Sequence, residues 1–432
     1  MSNTVPEGWE EFCLKDLSDV ITKGTTPTTG GSGYVQSGIK YFRVENISRS
    51  GFIEEKDLKF ISQETHDSLK RSQLKVGDLL VSIAGAIGRS AIVGKNNVPA
   101  NTNQAVGIVR LRHNEVITPF VRYSIESPMV ARQLNDAQAG NAQINLNLEQ
   151  LGSLRFYRPP LSEQQKIAAI LSSVDEVIEK TRAQIDKLKD LKTGMMQELL
   201  TKGIGHTEFK DSPVGRIPEV WSVVDLQMAC ESKYGIVDGP FGSNLKTEHY
   251  QESGIPVFQS GLVTSNQFIK REYVYVNQEK FNEQKRSSAK AGDILMAKIG
   301  MRAGACAIIP KNHPEGILAG NSLKMSVDSN KAIADYILGI LHLMQSTGEI
   351  RRLLTETAQP AVSITTLKKM KIALPPLDEQ KAISETLGSL DAKVLRTKEK
   401  LDQTLRLKKA LMQDLLTGKV RVNVDTCELA DA

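Results

Sequence analysis

Pro159-Pro160-Leu161-Ser162-Glu163-Gln164 reads almost as Pro375-Pro376-Leu377-Asp378-Glu379-Gln380, 216 residues further on. The chain has 432 residues, so the spacing is half its length. The same offset aligns Ile167 with Ile383 and Asp175 with Asp391. It also aligns Gln197-Glu198-Leu199-Leu200-Thr201 with Gln413-Asp414-Leu415-Leu416-Thr417. Upstream, Ser37-Gly38-Ile39 matches Ser253-Gly254-Ile255, and Phe52-Ile53 matches Phe268-Ile269. Gly77-Asp78-Leu79-Leu80 matches Gly292-Asp293-Ile294-Leu295 at 215, and Pro6-Glu7-Gly8-Trp9 matches Pro218-Glu219-Val220-Trp221 at 212. One frame with small gaps over this many positions is a tandem duplication.

Downstream of each Pro-Pro pair the pattern is helical. Proline removes a donor and fixes φ, so the pair stops the preceding strand. Ser162 reads as an N-cap with Gln165 three residues on; in the second copy Asp378 caps but Lys381 leaves the box incomplete. An apolar stripe at spacings of three, four or their sum follows: Ile167, Leu171, Val174, Ile178, Ile185, Leu188, Leu191, Met195 and Leu199. Its counterpart runs Ile383, Leu387, Leu390, Val394, Leu401, Leu407, Leu411 and Leu415. A narrow stripe over ~38 residues with charge on the other faces is a coiled-coil pattern, ~57 Å long at 1.5 Å per residue. Gly194 interrupts the first helix and could mark a bend. The second globular segment joins the end of one helix to the start of the other, so an antiparallel pair is expected.

Upstream of each Pro-Pro pair, short apolar runs are broken by glycines. Ile39–Val44, Leu79–Ile83, Val106–Leu111 and Ala305–Ile309 read as strands, and Thr118–Gln133 and Lys331–Leu354 as helices. The expected fold class is α+β: two mixed domains separated by two long antiparallel coiled-coil helices. The expected boundaries are 1–158 and 204–374 for the two mixed domains with the linker, 159–203 and 375–420 for the helices, and 421–432 for a tail.

Composition excludes several classes. Hydrophobic residues make up 40% and charged residues 24%, ordinary for a globular chain. The longest apolar stretch, Tyr336–Met344, contains His342 and is far short of a membrane span, so no membrane association is expected. The start has neither a basic nor an apolar region of a signal peptide, and a cytoplasmic protein is expected. The four cysteines are scattered, with no Cys-x-x-Cys pair. The six histidines show no metal-ligand spacing and do not repeat between copies, so no metal site is expected. No phosphate-binding Gly-x-x-x-x-Gly-Lys loop, dinucleotide fingerprint or Pro-Pro-aromatic methyltransferase motif occurs. Gly85-Ala86-Ile87-Gly88-Arg89-Ser90 reads as a tight strand turn. Net charge is only +5, so nucleic acid would be met by local patches.

Polar residues around glycines recur at matching positions with different identities. The first domain has Lys23, Thr25 and Thr26, then Arg43 and Asn46, then Arg89, then Asn103 and Gln104. The second has Ser243, Asn244 and Lys246, then Gln259 and Ser260, then Lys298 and Arg302, then Asn321 and Ser322. Glycine lets a backbone come close to a partner. Thr, Ser, Asn and Lys suit phosphates or base edges, and in bidentate readout Arg suits guanine and Asn or Gln suits adenine. The pattern is that of one scaffold carrying two different readers.

The twofold Pro-Pro-Leu-x-Glu-Gln helix entry, Gly-Pro-Phe-Gly-Ser-Asn-Leu-Lys at 239–246 and the repeated Gly-Asp-(Leu/Ile)-Leu resemble the specificity (S) subunit of type I restriction-modification systems. The resemblance spans roughly Gly8 to Val420. It implies two target-recognition domains, each reading one half of a bipartite asymmetric DNA site. It implies helices that set the unread gap and dock two methyltransferase (M) subunits, with two restriction (R) subunits joining them. It also implies S-adenosylmethionine in M, ATP and Mg in R, and no cofactor or catalytic residue in this chain. Three other readings compete: an S-like chain serving a fused methyltransferase-nuclease, a non-DNA bivalent scaffold, and a cryptic nuclease using Glu54 and Lys56.

Overall fold

A computed structural model describes residues 5–27, 33–138, 145–240, 244–355 and 359–424. The chain divides into two compact units, Met1–Gln184 with Thr397–Ala432, and Ile185–Arg396. The two long helices, Leu161–Lys202 of 42 residues and Leu377–Leu415 of 39, each contribute one half to each unit.

In the first unit an antiparallel sheet has the spatial order Ser18–Lys23, Val106–Leu111, Leu79–Ser82, Ser90–Ile92. A second sheet has Ile39–Phe42 in the middle, antiparallel to Lys59–Ile61 and parallel to Ala100–Thr102. The second unit repeats this. Ile236–Asp238, Ser322–Met325, Ile294–Ala297 and Cys306–Ile308 form one sheet. Ile255–Phe258 again runs parallel to its neighbour, Gly316–Leu318, in the other. Glu10–Cys13 pairs with Arg155–Arg158, and Ser222–Asp225 with Lys371–Leu374, so the start of each domain is tied to the strand that enters the Pro-Pro pair. The two expected helical segments are each broken. Pro128 starts a new helix, Pro128–Gln138, after Thr118–Ile125. Gly348, at φ 76°, divides Ala334–Ser346 from a short 3-10 turn.

Each long helix begins at its leucine, two residues earlier than the capping reading of Ser162 places it. The carbonyls of Pro160 and Pro376 accept the first bonds, from the Gln164 and Gln380 amides at 3.0 Å each. The repeated glutamine then explains the motif. Gln164 Nε2 donates to Pro159 O at 2.9 Å and its Oε1 accepts from Ile117 N at 3.1 Å. Gln380 donates to Pro375 O at 2.8 Å and accepts from Ile333 N at 2.9 Å. Both side chains are fully buried, and each satisfies the free amide just before a domain helix.

The first helix runs unbroken through Gly194. Within each unit the half-helices pack antiparallel. In the first, Asp175 meets Lys408 at 2.7 Å while Glu163, nearer one helix start, meets Arg421 beyond the other helix end. In the second, Lys192 meets Asp391 at 2.6 Å. These are the same pair with the partners exchanged. Ile167, Leu171, Ile178, Ile185, Ile383, Leu387, Leu390 and Leu415 are buried, and Val174, Met195, Leu199, Val394, Leu401 and Leu411 half-buried. Leu191 and Leu407 are not on the seam: they are 50% and 54% exposed. The seam steps four residues from Leu188 to Lys192, whose amine reaches Asp391, and polar Asp175 and Lys408 hold matching seam positions.

Candidate nucleic-acid interface

In the first unit the edge strand Ser18–Lys23 runs into Gly24, which no other residue could replace without movement. A Cβ there would lie 2.1 Å from Thr102 O and 2.2 Å from Asn103 O. The corner is pinned by Gly24 N to Val106 O at 3.0 Å and Thr25 N to Thr102 O at 2.9 Å. The Tyr41 hydroxyl donates to Thr25 O at 2.9 Å, and burial pushes that phenol well above its ordinary range, so it stays a neutral donor. Thr26 Oγ1 donates to Gln104 Oε1. The fold thus assembles Thr25, Thr26, Asn103 and Gln104, from two separated segments, around one glycine corner, with exposed Lys23 at its edge. Asn103 Oδ1 is buried there without a hydrogen-bond partner.

Other candidates of this unit take structural duties. Asn46 is 1% exposed and its amide is consumed internally, accepting from Arg43 N at 3.0 Å and donating to Glu54 O and Lys56 O at 3.0 and 2.9 Å. It therefore shapes the turn and is not presented for reading. Arg43 reaches Asp57 O at 3.4 Å and Glu45 at 3.9 Å. Arg89 donates to Ile47 O at 3.4 Å.

The second unit builds the same corner with other residues. A Cβ on Gly239 would lie 2.0 Å from Ala319 O. Gly239 N donates to Ser322 O at 3.0 Å, and Asn321 Oδ1 accepts from Ser260 N at 3.2 Å. Asp238 sits between Lys298 at 2.7 Å and Arg286 at 3.3 Å. Two candidates are corrected here. Ser322 is fully buried in the sheet, and Lys298 is spent on Asp238 with only 12% of its side chain exposed. Asn244, Lys246, Gln259 and Arg302 are exposed, Lys246 lying 3.4 Å from Glu248, and Arg302 follows the fully exposed Met301 on a hairpin tip. Ser243 lies outside the described residues.

Sequence reasoning passed over one pair. Arg71 Nη2 donates to Thr25 Oγ1 at 3.2 Å, and Arg286 Nη2 to Asp238 Oδ1 at 3.3 Å. Each arginine thus touches the residue next to its corner glycine. The signal was available, because Lys70-Arg71-Ser72 recurs unchanged as Lys285-Arg286-Ser287. Among the described residues no group of His, Cys, Asp and Glu is arranged to hold a metal ion, and no helix is long and apolar enough to cross a membrane.

Known proteins share both halves of this arrangement. The family described as "Type I restriction modification DNA specificity domain" matches residues 6–190 and again 241–406. The chain is 30% identical to a putative type I restriction enzyme MjaX specificity subunit of Methanocaldococcus jannaschii, over 97% of this chain and 95% of that one. It is 28% identical to the MjaVIII specificity subunit of the same organism, over 97% and 94%. The EcoKI specificity subunit of Escherichia coli is 20% identical over 96% and 89%. Among solved structures, a chain from work on complex assembly and conformational transition of the type I R-M system superposes with a TM-score of 0.60 at 17% identity, covering 96% of this chain and all of that one. The type I restriction-modification S subunit of M. genitalium gives 0.57 at 15% identity, covering 96% and 97%. With one family domain matched twice and relatives aligned over nearly their whole length, this chain belongs to the family of type I restriction-modification DNA-specificity subunits.

Proposed function

We propose that this chain is the non-catalytic, sequence-reading component of a methyltransferase and endonuclease complex in the cytoplasm. Each unit reads one half of a bipartite, asymmetric double-stranded DNA site, and the long helices set the unread gap. The observation that carries this is the glycine corner built twice. Gly24 and Gly239 hold the same backbone crossing, while the side chains around them differ: Thr25, Thr26 and Gln104 in one unit, Ser260 and Asn321 in the other. Equal scaffolds with unequal polar tips are what two different half-sites require.

The helices also dock two methyltransferase subunits. The buried seam residues are consumed within the chain, which leaves Leu191 and Leu407 as half-exposed apolar side chains at equivalent positions. A matched pair of apolar contacts fits two copies of one partner. S-adenosylmethionine belongs to those subunits, and ATP and Mg to two restriction subunits. Because a methyltransferase acts on an adenine turned out of the stack, this chain's task is to place that partner over the right base.

Single-molecule mapping of N6-methyladenine in the host, with the gene intact, deleted, and carrying residues 10–158 from another S subunit, tests the reading. The expected result is loss of one gapped motif on deletion and replacement of one half-motif on exchange. Deletion that leaves every methylated motif in place would refute the specificity role. Exchange that alters both halves would refute modular reading.

A further inference from the structure

We infer that Lys70-Arg71 and Lys285-Arg286 form two matched contacts to the DNA sugar-phosphate backbone, one in each unit, which bind without reading sequence. The inference rests on the DNA-reading role proposed above and adds which residues supply the part of binding common to both half-sites.

Local structure presents these cations alike. Each tripeptide forms a single 3-10 turn, Lys70–Ser72 and Lys285–Ser287, after a short helix. The serine is the inward anchor. Ser72 is fully buried and accepts from Asn101 Nδ2 at 2.8 Å, while Ser287 is 4% exposed and donates to Asp238 O at 2.8 Å. With the serine held inside, the lysine and arginine face solvent in both units. Arg71 and Arg286 lean on the glycine corner through one weak contact each, at 3.2 and 3.3 Å. A guanidinium has five N–H donors, so most of each fork remains for a partner. Lys285 is steadied by Glu315 at 3.4 Å and by the Phe281 ring at 4.4 Å, contacts that position an amine without enclosing it.

The duplication supplies the discriminating logic. Around the corners the tips have diverged: Thr25-Thr26 stands against Pro240-Phe241, Arg43–Asn46 against Gln259–Leu262, Asn103-Gln104 against Ala319-Gly320. Lys-Arg-Ser has not. Residues that read bases have to differ between unlike half-sites. Residues that grip the feature common to both do not, and that feature is the phosphate backbone. The serine anchors the turn, and the single contact each arginine makes to its corner leaves the lysine and most of the guanidinium outside that anchoring.

The test uses the full chain co-purified with its methyltransferase partner. The probes are two 40-base-pair duplexes, one carrying the methylated motif and one with that motif scrambled. Neutralising one pair, by Lys70→Gln with Arg71→Gln or Lys285→Gln with Arg286→Gln, should lower the slope of log affinity against log salt by roughly 2. At 0.1 M salt, affinity should fall on the order of 50-fold on both duplexes alike. The methylated motif should stay the same, and Arg71→Lys, which keeps the charge, should retain the wild-type slope. An unchanged slope overturns the inference. So does a loss confined to the motif duplex, or a changed base preference in one half-site, either of which would make these residues base readers. A wild-type complex that binds the two duplexes equally refutes the DNA-reading role itself and this inference with it.

Discussion

Lys408 and Lys192 occupy equivalent seam positions and each faces an equivalent aspartate, so the same substitution at both is an internally controlled experiment. Their surroundings differ. Lys408 is 2.7 Å from Asp175 and 3.9 Å from Glu126, in a cluster with Arg122, which is 3.3 Å from Asp175 and 3.4 Å from Glu126. Tyr123 also donates to Asp175 at 2.7 Å. Side-chain exposures there are 12% for Lys408, 2% for Asp175, 8% for Arg122 and 15% for Glu126. Two cations balance two carboxylates out of water. Burial drives the Glu126 carboxyl above its ordinary value even beside both cations. Lys192 and Asp391, by contrast, are 25% and 59% exposed.

Lys408→Met keeps the aliphatic stem on the seam and removes the charge, leaving one guanidinium for two buried carboxylates. Losing one partner of a buried pair costs about 3–5 kcal/mol. Because Arg122 and Tyr123 remain on Asp175, the lower end applies, about 3 kcal/mol. Lys192→Met breaks a solvent-screened pair, worth about 0–1 kcal/mol. Native-state hydrogen exchange separates the two units without assuming that they unfold together. Amides of 118–125 and 161–184 should lose about 3 kcal/mol of protection in Lys408→Met. Amides of 185–202 and 334–346 should lose less than about 1 kcal/mol in Lys192→Met. Equal losses from both substitutions would refute the claim that burial, and not the ion pair as such, sets the cost.

The other expectations concern pH and partner docking. His342 is partly buried, donates to Cys306 O at 3.0 Å and faces Lys192 and Asp391; burial holds its imidazole below the usual 6.5. The folded state therefore resists a proton that the unfolded chain accepts, so stability of the second unit falls as pH drops below about 6.5. His342→Gln should lose less denaturant resistance than wild type between pH 7.5 and 5.5; parallel losses would overturn this assignment. Leu191→Asp and Leu407→Asp alter half-exposed positions, so stability should change by less than about 0.5 kcal/mol. Each should release one of two methyltransferase subunits, read as complex mass by light scattering. A complex of wild-type mass from both variants would rule out docking through these leucines.

What was legible in the sequence was whatever repeated with a period or a motif: the duplication, the two long helices, the glycine corners and the Gln164/Gln380 entry. Residue-level roles were less legible because polar side chains serve inward duties that no spacing shows. Asn46 looked like an adenine reader, yet its partners are the carbonyls of Glu54 and Lys56, eight and ten residues away across a turn. Ser322 followed a loop asparagine but lies inside a strand. Leu191 and Leu407 fitted the apolar stripe by spacing, while the actual seam accepted charged Lys192 and Lys408 because each meets an aspartate. Lys70-Arg71 carried a repeat signal, as Lys285-Arg286, but no apolar or catalytic pattern to mark it. A charged pair on a polar turn reads as solubilising until the fold seats it on a glycine corner.

The two acidic residues of the helix-entry motif show what the duplication holds constant. Glu379 receives the Trp221 indole at 2.9 Å, the Ile204 amide at 3.0 Å and His206 at 2.8 Å, the last two from the segment just past the first long helix. Glu163 receives Arg421, from the segment just past the second long helix, and Arg421 also donates to Glu7 O at 2.8 Å. The glycines at these exits are forced. A Cβ on Gly203 would meet Glu379 Oε1 at 2.4 Å, and one on Gly418 would meet Pro6 Cγ at 2.5 Å. In each unit the start of one helix is thus clamped to the exit of the other, by different side chains doing the same job. Together with the exchanged Lys–Asp pair, this fixes helix register at two points per unit. Selection on such a chain can change the tips around Gly24 and Gly239 freely, because nothing in the helix clamps passes through them. It can change the register only by altering both helices together.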